Sequence, residues 1–166
     1  MRRLILMRHA EAEATSRDGD RGRPLSPRGQ DDARQAGLTL ARLGFKPDHA
    51  VVSPARRTRQ TWDLAAEALG DVELLTPDGL YNAESDILRS EIEALEDQAG
   101  CLMVVAHNPG IHALAIELLA DAAASPALLE RLAMGFPPGS AAIFGVDDYG
   151  RISWQGYLRP GATDLT

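Results

Sequence analysis

The chain has 166 residues, the length of one domain with a single core. Its 45% apolar and 25% charged content is that of a globular protein and excludes a disordered, collagen-like or coiled-coil chain. Acids outnumber bases 24 to 17, and a net charge of −7 argues against a nucleic-acid partner or an anionic membrane surface.

Cys101 is the only cysteine, which excludes an internal disulfide and a zinc site built on cysteines; in its apolar run it reads as a small buried hydrophobe. Met1-Arg2-Arg3 ahead of Leu4–Met7 faintly resembles a signal peptide, but the apolar stretch stops at Arg8, short of the about 7 residues such a segment needs. No run approaches the about 18–20 apolar residues of a membrane span. The expected compartment is the cytoplasm and the expected state a monomer.

In chain order, Leu4–Met7 predicts a buried strand, and the polar stretch 11–29 a long loop of the kind that usually carries function. Asp31 to Leu43 predicts a helix with Ala33, Ala36, Leu40 and Leu43 on one face, Gly37 marking a close packing contact and Gly44 ending it. Ala50–Val52 is a second strand. Thr61, Leu64, Ala65, Ala68 and Leu69 give a helical stripe stopped by Gly70, and Val72–Leu75 is a weaker strand. Ile87 to Ala99 predicts a helix, Leu102–Ala106 the most apolar strand, and Ile111 to Ala120 another helix. Pro126 to Leu132 is a short helix capped by Ser125. Ala141–Val146 and Ile152–Tyr157 flank Asp147-Asp148-Tyr149-Gly150 as a hairpin. The alternation predicts an α/β domain over residues 1–166: a mostly parallel central sheet, helices on both faces, and a C-terminal antiparallel hairpin. The strand order stays open.

The cationic residues follow three of these strands. Arg8-His9 follow the first, Ser53-Pro54-Ala55-Arg56-Arg57 the second, and His107-Asn108-Pro109-Gly110 the most apolar one. Ligands of open α/β sheets bind outside the carboxyl ends of the strands, where helix N-termini also favour anions. Arginine there suggests phosphate or carboxylate held in bidentate fashion. Each motif alone has a plainer reading: a surface turn, a solvated helix face, a core histidine. Their joint placement favours a site. The four histidines are not spaced for zinc, and His49 and His112, away from the strand ends, read as structural.

Leu6-Met7-Arg8-His9-Ala10-Glu11, with Ser53-Pro54-Ala55-Arg56-Arg57-Thr58-Arg59-Gln60-Thr61 and Val105-Ala106-His107-Asn108, resembles the histidine phosphatase (phosphoglycerate-mutase-like) superfamily. The short SixA-like branch of phosphohistidine phosphatases is the most similar, and Arg23-Pro24-Leu25-Ser26 followed by Gly29 matches it too. The resemblance implies that His9 is a nucleophile that becomes phosphorylated, and that Arg8, Arg57 and His107 surround the phosphoryl oxygens. It favours Arg57 over Arg56, because the family's arginine stands four residues after Ser53. Ala10 departs from the family's usual glycine. The family's mid-chain acid has no clear counterpart; Glu84 lies near the right place, and a solvated loop residue is the competing reading.

The chemistry agrees. Arginines beside His9 disfavour a second positive charge on its ring and stabilise a loose phosphoryl transition state. No cofactor or metal is expected. The length leaves little room for a lid, and a labile P–N bond needs little acid help, so phosphohistidine on a protein is the favoured substrate. A small-molecule phosphomonoesterase and a non-catalytic module that binds a phosphorylated partner are the alternatives.

Overall fold

The structure, a computed structural model, describes residues 1–165. A seven-stranded sheet organises the chain. Its parallel part comprises β1 (Arg3–Arg8), β2 (His49–Val52), β3 (Glu73–Leu75) and β4 (Cys101–Ala106). Its antiparallel part comprises β5 (Ala141–Val146), β6 (Ile152–Arg159) and β7 (Ala162–Leu165). The order is β3-β2-β4-β1-β5-β6-β7. Leu4–Met7 and all of β4 are buried because these two strands lie at the centre, covered on both faces. Alternate residues feed two cores. Leu4, Leu6, Leu102 and Val104 pack on one face, Ile5, Met7, Met103 and Val105 on the other.

The helices are α1 (Pro27–Arg42), α2 (Arg56–Ala66), α3 (Ser85–Ala94), α4 (Gly110–Asp121) and α5 (Pro126–Ala133). Leu88 and Ile92 of α3, with Leu114 and Leu118 of α4, cover the first face; Leu40 of α1, with Trp62 and Ala65 of α2, covers the second. Gly37 is the close contact its position suggests: a Cβ there would lie 2.2 Å from the Ala65 carbonyl oxygen. Any side chain at Gly37 would push α1 off α2.

Several boundaries differ from the sequence reading. Helix α1 starts at Pro27 rather than Asp31, because Ser26 Oγ accepts from the Gly29 N–H at 3.0 Å and proline suits the first helical position. The loop therefore ends at Ser26, and it contains a 3₁₀ turn at Asp20–Gly22. Helix α2 starts at Arg56, a full turn ahead of the apolar stripe; its first turn is polar, with Arg57 buried toward the site, Thr58 Oγ1 donating to the Ser53 and Ala55 carbonyls, and Arg56 and Arg59 exposed. It ends at Ala66, and Ala68 and Leu69 form tight turns instead. Helix α3 runs Ser85–Ala94, with turns up to Ala99. The C-terminal hairpin gains a third strand, β7, an exposed polar edge without the apolar alternation that marks a half-buried strand.

The register positions the site. Arg8 pairs with Ala106, and Val52 with Val105, so the residues that follow β1, β2 and β4 leave the sheet side by side. Helices α2 and α4 start just beyond, turning their N-terminal ends toward the same place.

Candidate active site

Arg8, His9, Arg57 and His107 converge at the carboxyl edge of β1, β2 and β4. The rings of His9 and His107 lie 5.5 Å apart between centroids. His9 is only 8% exposed. Its Nδ1 stands 2.7 Å from the Ala10 carbonyl oxygen. A carbonyl can only accept, so Nδ1 carries the proton and Nε2 keeps a bare lone pair. The Ala10 N–H donates to Thr61 Oγ1, and Thr61 Oγ1 donates to the Arg57 carbonyl, so α2 pins the backbone beside His9. Ala10, where the resembling family has glycine, is fully buried with Leu25 and Ala33, in a space that takes a methyl.

Burial lowers the His9 pKa to about 4, aided by the charges of Arg57, Arg8 and Arg23 against the opposing Ala10 hydrogen bond. Burial, with Arg57, His9 and Arg8, takes His107 down to about 3, against an opposing effect of Asp20. Both rings are neutral at pH 7. Arg8 Nη1 donates to the Phe136 carbonyl at 3.0 Å, while its Nε is buried with no hydrogen-bond partner among the described residues. Arg57, 4% exposed, donates through Nη1 to the Asp20 carbonyl at 2.9 Å. Its Nη2 lies 3.3 Å from Asp20 Oδ2, 3.4 Å from Asn82 Oδ1 and 3.2 Å from His107 Nδ1. Arg56, one residue earlier, is exposed on the outer side of α2. Of the adjacent pair, Arg57 alone turns inward. Buried donors around an unprotonated imidazole make a pocket for a tetrahedral oxyanion.

The profile of the histidine phosphatase superfamily, branch 1, matches residues 4–88. The chain belongs to that superfamily. An uncharacterised protein of Mycobacterium tuberculosis is 34% identical over 140 residues, 84% of this chain and 87% of that relative. A crystal structure assigned to phosphohistidine phosphatase SixA of Agrobacterium tumefaciens is similar, with a TM-score of 0.84, 28% identity and coverage of 96% of this chain and 98% of that one. A protein from Nakamurella multipartitia with the same assignment gives a TM-score of 0.81 and 31% identity, covering 97% of each chain. Membership and fold together support a phosphatase. His107 lies outside the matched segment; the pairing of β4 with β1 brings it beside His9.

Glu84 does not join the other four. It is exposed, just ahead of α3, and its side chain makes no hydrogen bond or ion pair among the described residues. Its backbone is near the rim, since a Cβ on Gly110 would meet the Ala83 carbonyl oxygen at 1.9 Å and Glu84 Cα at 3.2 Å. The acid that does reach the pocket is Asp20, which the sequence did not single out. It binds Arg57, accepts from the Tyr81 hydroxyl and pairs with Arg23. The Tyr81 and Arg23 hydrogen bonds hold its carboxyl at about 2, so it is ionised at pH 7. Through Asp20 the loop between β1 and α1 reaches the pocket edge at Arg57. Ser53 Oγ stands 2.6 Å from His107 Nε2, a contact that its place in the second motif alone did not reveal.

The other histidines are tied elsewhere. His49 lies between Asp48 and Glu73, at 2.6 and 3.4 Å. His112 Nε2 donates to the Leu132 carbonyl, and its ring stacks on Phe136. Cys101 is buried, and burial pushes its thiol up to about 11, leaving it an inert thiol.

Proposed function

We propose that the protein removes phosphoryl groups from histidine side chains of phosphoproteins through a phosphorylated His9. The observation that carries this reading is the bare Nε2 of a neutral His9, fixed by the Nδ1–H bond to Ala10 and surrounded by cations. In the first step Nε2 forms a bond to phosphorus as the P–N bond to the substrate imidazole breaks. Arg8, Arg57 and His107 bind the equatorial oxygens, so charge spreading over them meets fixed donors. Arg57 exchanges its bonds to Asp20 for bonds to the phosphoryl group. In the second step water attacks phosphorus, His9 leaves, and inorganic phosphate departs.

The substrate preference rests on the leaving group. Asp20 is ionised, and the exposed Glu84 side chain makes no hydrogen bond or ion pair with the other site residues, so no carboxylic acid is aimed at a departing oxygen. An imidazole can leave with a proton taken from solvent, whereas an alkoxide gains about 10²–10⁴-fold from a positioned acid. The phosphohistidine phosphatase assignments of the similar structures support the same choice. A phosphoserine or phosphothreonine substrate is the second reading. It is favoured by similarity to a serine/threonine-protein phosphatase PGAM5 of Xenopus tropicalis, 32% identical over 88 residues, 53% of this chain and 28% of that one.

Steady-state kinetics on phosphohistidine peptide, phosphoserine peptide and a sugar phosphate, with chelator throughout, tests the reading. The expected result is highest kcat/KM on phosphohistidine, undiminished by EDTA, and a trapped phosphate on His9. Glu84→Gln should leave hydrolysis of both phosphohistidine and alkyl phosphate near the parent's, because its exposed side chain bonds to none of the pocket residues. Preference for an alkyl phosphate would install the second reading or the small-molecule one. Phosphate binding without turnover would make the protein a binding module.

A further inference from the structure

His107 has its two ring nitrogens in different company. Nε2 faces Ser53 Oγ at 2.6 Å, in a contact where Ser53 is 0% and His107 2% exposed. Ser53 is itself fixed: its N–H donates to the Val105 carbonyl, and its carbonyl accepts from Thr58 Oγ1 at 2.7 Å. Nδ1 faces Arg57 Nη2 at 3.2 Å. A guanidinium only donates, so here Nδ1 accepts, and Nε2 carries the proton and donates to Ser53 Oγ.

That tautomer is wrong for a phosphoryl group. Once Arg57 turns to the phosphoryl oxygens, the Nδ1 lone pair would face oxygen lone pairs. A neutral ring can donate into the pocket only with its proton on Nδ1, and Nε2 then needs a buried donor. The Ser53 hydroxyl can serve both tautomers, because rotation about Cβ–Oγ turns it from acceptor into donor. No other group hydrogen-bonds Nε2 among the described residues.

We infer that Ser53 is a positioning residue that switches His107 between its neutral tautomers, so that the ring presents a donor to the pocket only when a phosphoryl group is bound. The inference rests on phosphoryl transfer at His9. Proton balance is kept: one proton leaves Nε2, one arrives on Nδ1, and none is taken up overall. The charged and titratable groups facing His107 are Arg57 from α2, Arg8 and His9 from the end of β1, Asp20 from the loop and the ring edge of Tyr81. Burial and the arginines oppose the imidazolium, which would otherwise supply the same donor.

The test is ¹⁵N-histidine NMR of the full chain with and without inorganic phosphate, alongside calorimetry of phosphate binding in two buffers of different ionisation heat. The expected result is His107 moving from the Nε2–H to the Nδ1–H pattern with no proton uptake. In kinetics on whichever phosphorylated substrate the parent turns over, Ser53→Ala should lower kcat by about 10²-fold, the order of losing one oxyanion donor, with KM little changed. Its rate should also rise as the pH falls below neutrality, where the parent is flat, because only the imidazolium then supplies an Nδ1–H. Ser53→Thr, which keeps the hydroxyl, should restore both. If Ser53→Ala fails to fold, the NMR and calorimetry on the parent decide. His107 retaining Nε2–H with phosphate bound, proton uptake on binding, or a Ser53→Ala enzyme with the parent's kcat and pH profile would overturn the inference alone. A parent that neither binds phosphate nor turns over any phosphorylated substrate would overturn the proposed function, and this inference with it.

Discussion

The two edges of the parallel sheet both hold histidine, in opposite electrostatic company. At the carboxyl edge His9 and His107 sit among Arg8 and Arg57, buried and neutral. At the amino edge His49 sits between Asp48 and Glu73, and Asp48 also accepts from the Gly100 and Cys101 N–H groups. Burial works to raise the Asp48 pKa, but His49 and those N–H groups together hold it below the ordinary carboxylate range. His49 spends both nitrogens on carboxylates, whereas His9 spends one on a carbonyl and keeps the other bare. A histidine is a nucleophile when its surroundings refuse it a proton and leave one nitrogen unoccupied; with carboxylate neighbours it becomes a brace. Cationic company is usually a cost to a fold, and here it is confined to the edge where an anion can offset it.

The comparison breaks most sharply at His9. His9→Ala should abolish turnover on phosphohistidine peptide while the thermal unfolding curve stays cooperative, whereas His49→Gln should leave kcat within about twofold. Full activity in His9→Ala would remove the nucleophile assignment. Next is the inward arginine. Arg57→Ala should cost about 10²–10³ in kcat, the value of one donor to a developing charge, and Arg56→Ala only a few-fold. Equal losses would mean that the two side chains share the pocket.

Acid should separate the edges through stability. His9 and His107 protonate near pH 6.5 when unfolded but only near about 4 and 3 when folded. Between those values the unfolded state binds more protons, so their contribution is complete above pH about 6.5 and is lost as the pH falls toward the folded values. The slope is at most about 1.4 kcal/mol per pH unit for each ring. Chemical denaturation from pH 7 to 4 should show it, and His9→Ala should remove about half. An unchanged slope would show that these rings are not held neutral. The smallest effect is at the amino edge: Asp48→Ala should lower stability by about 1–2 kcal/mol through the unpaired N–H groups and leave kcat near the parent's.

The sequence went furthest where one physical signal dominated. Apolar runs ending in Arg8-His9 and His107 marked β1 and β4, because central strands are dry on both faces. Boundaries failed where local chemistry replaced hydrophobic periodicity: Ser26-Pro27 starts α1 ahead of its apolar stripe, and the first turn of α2 is polar, sending Arg57 into the site. β7 was missed because an exposed edge strand needs no apolar alternation. Asp20 was not legible, since nothing in its own neighbourhood separates it from Asp18; what distinguishes it is Arg57, which is 37 residues away.

By itself, then, the sequence determined which residue types stand at the ends of which strands, and with them the expectation of an oxyanion site, because each of those facts is local. The tertiary structure alone decided the strand order, the loop latched by Asp20, and which nitrogen of His9 is bare; it also turns inward the Arg57 that the family resemblance favoured over Arg56. Those outcomes depend on partners brought together by the pairing of β1, β2 and β4. A hydrogen bond or a pKa is a property of what surrounds a group in space, and chain order does not encode it.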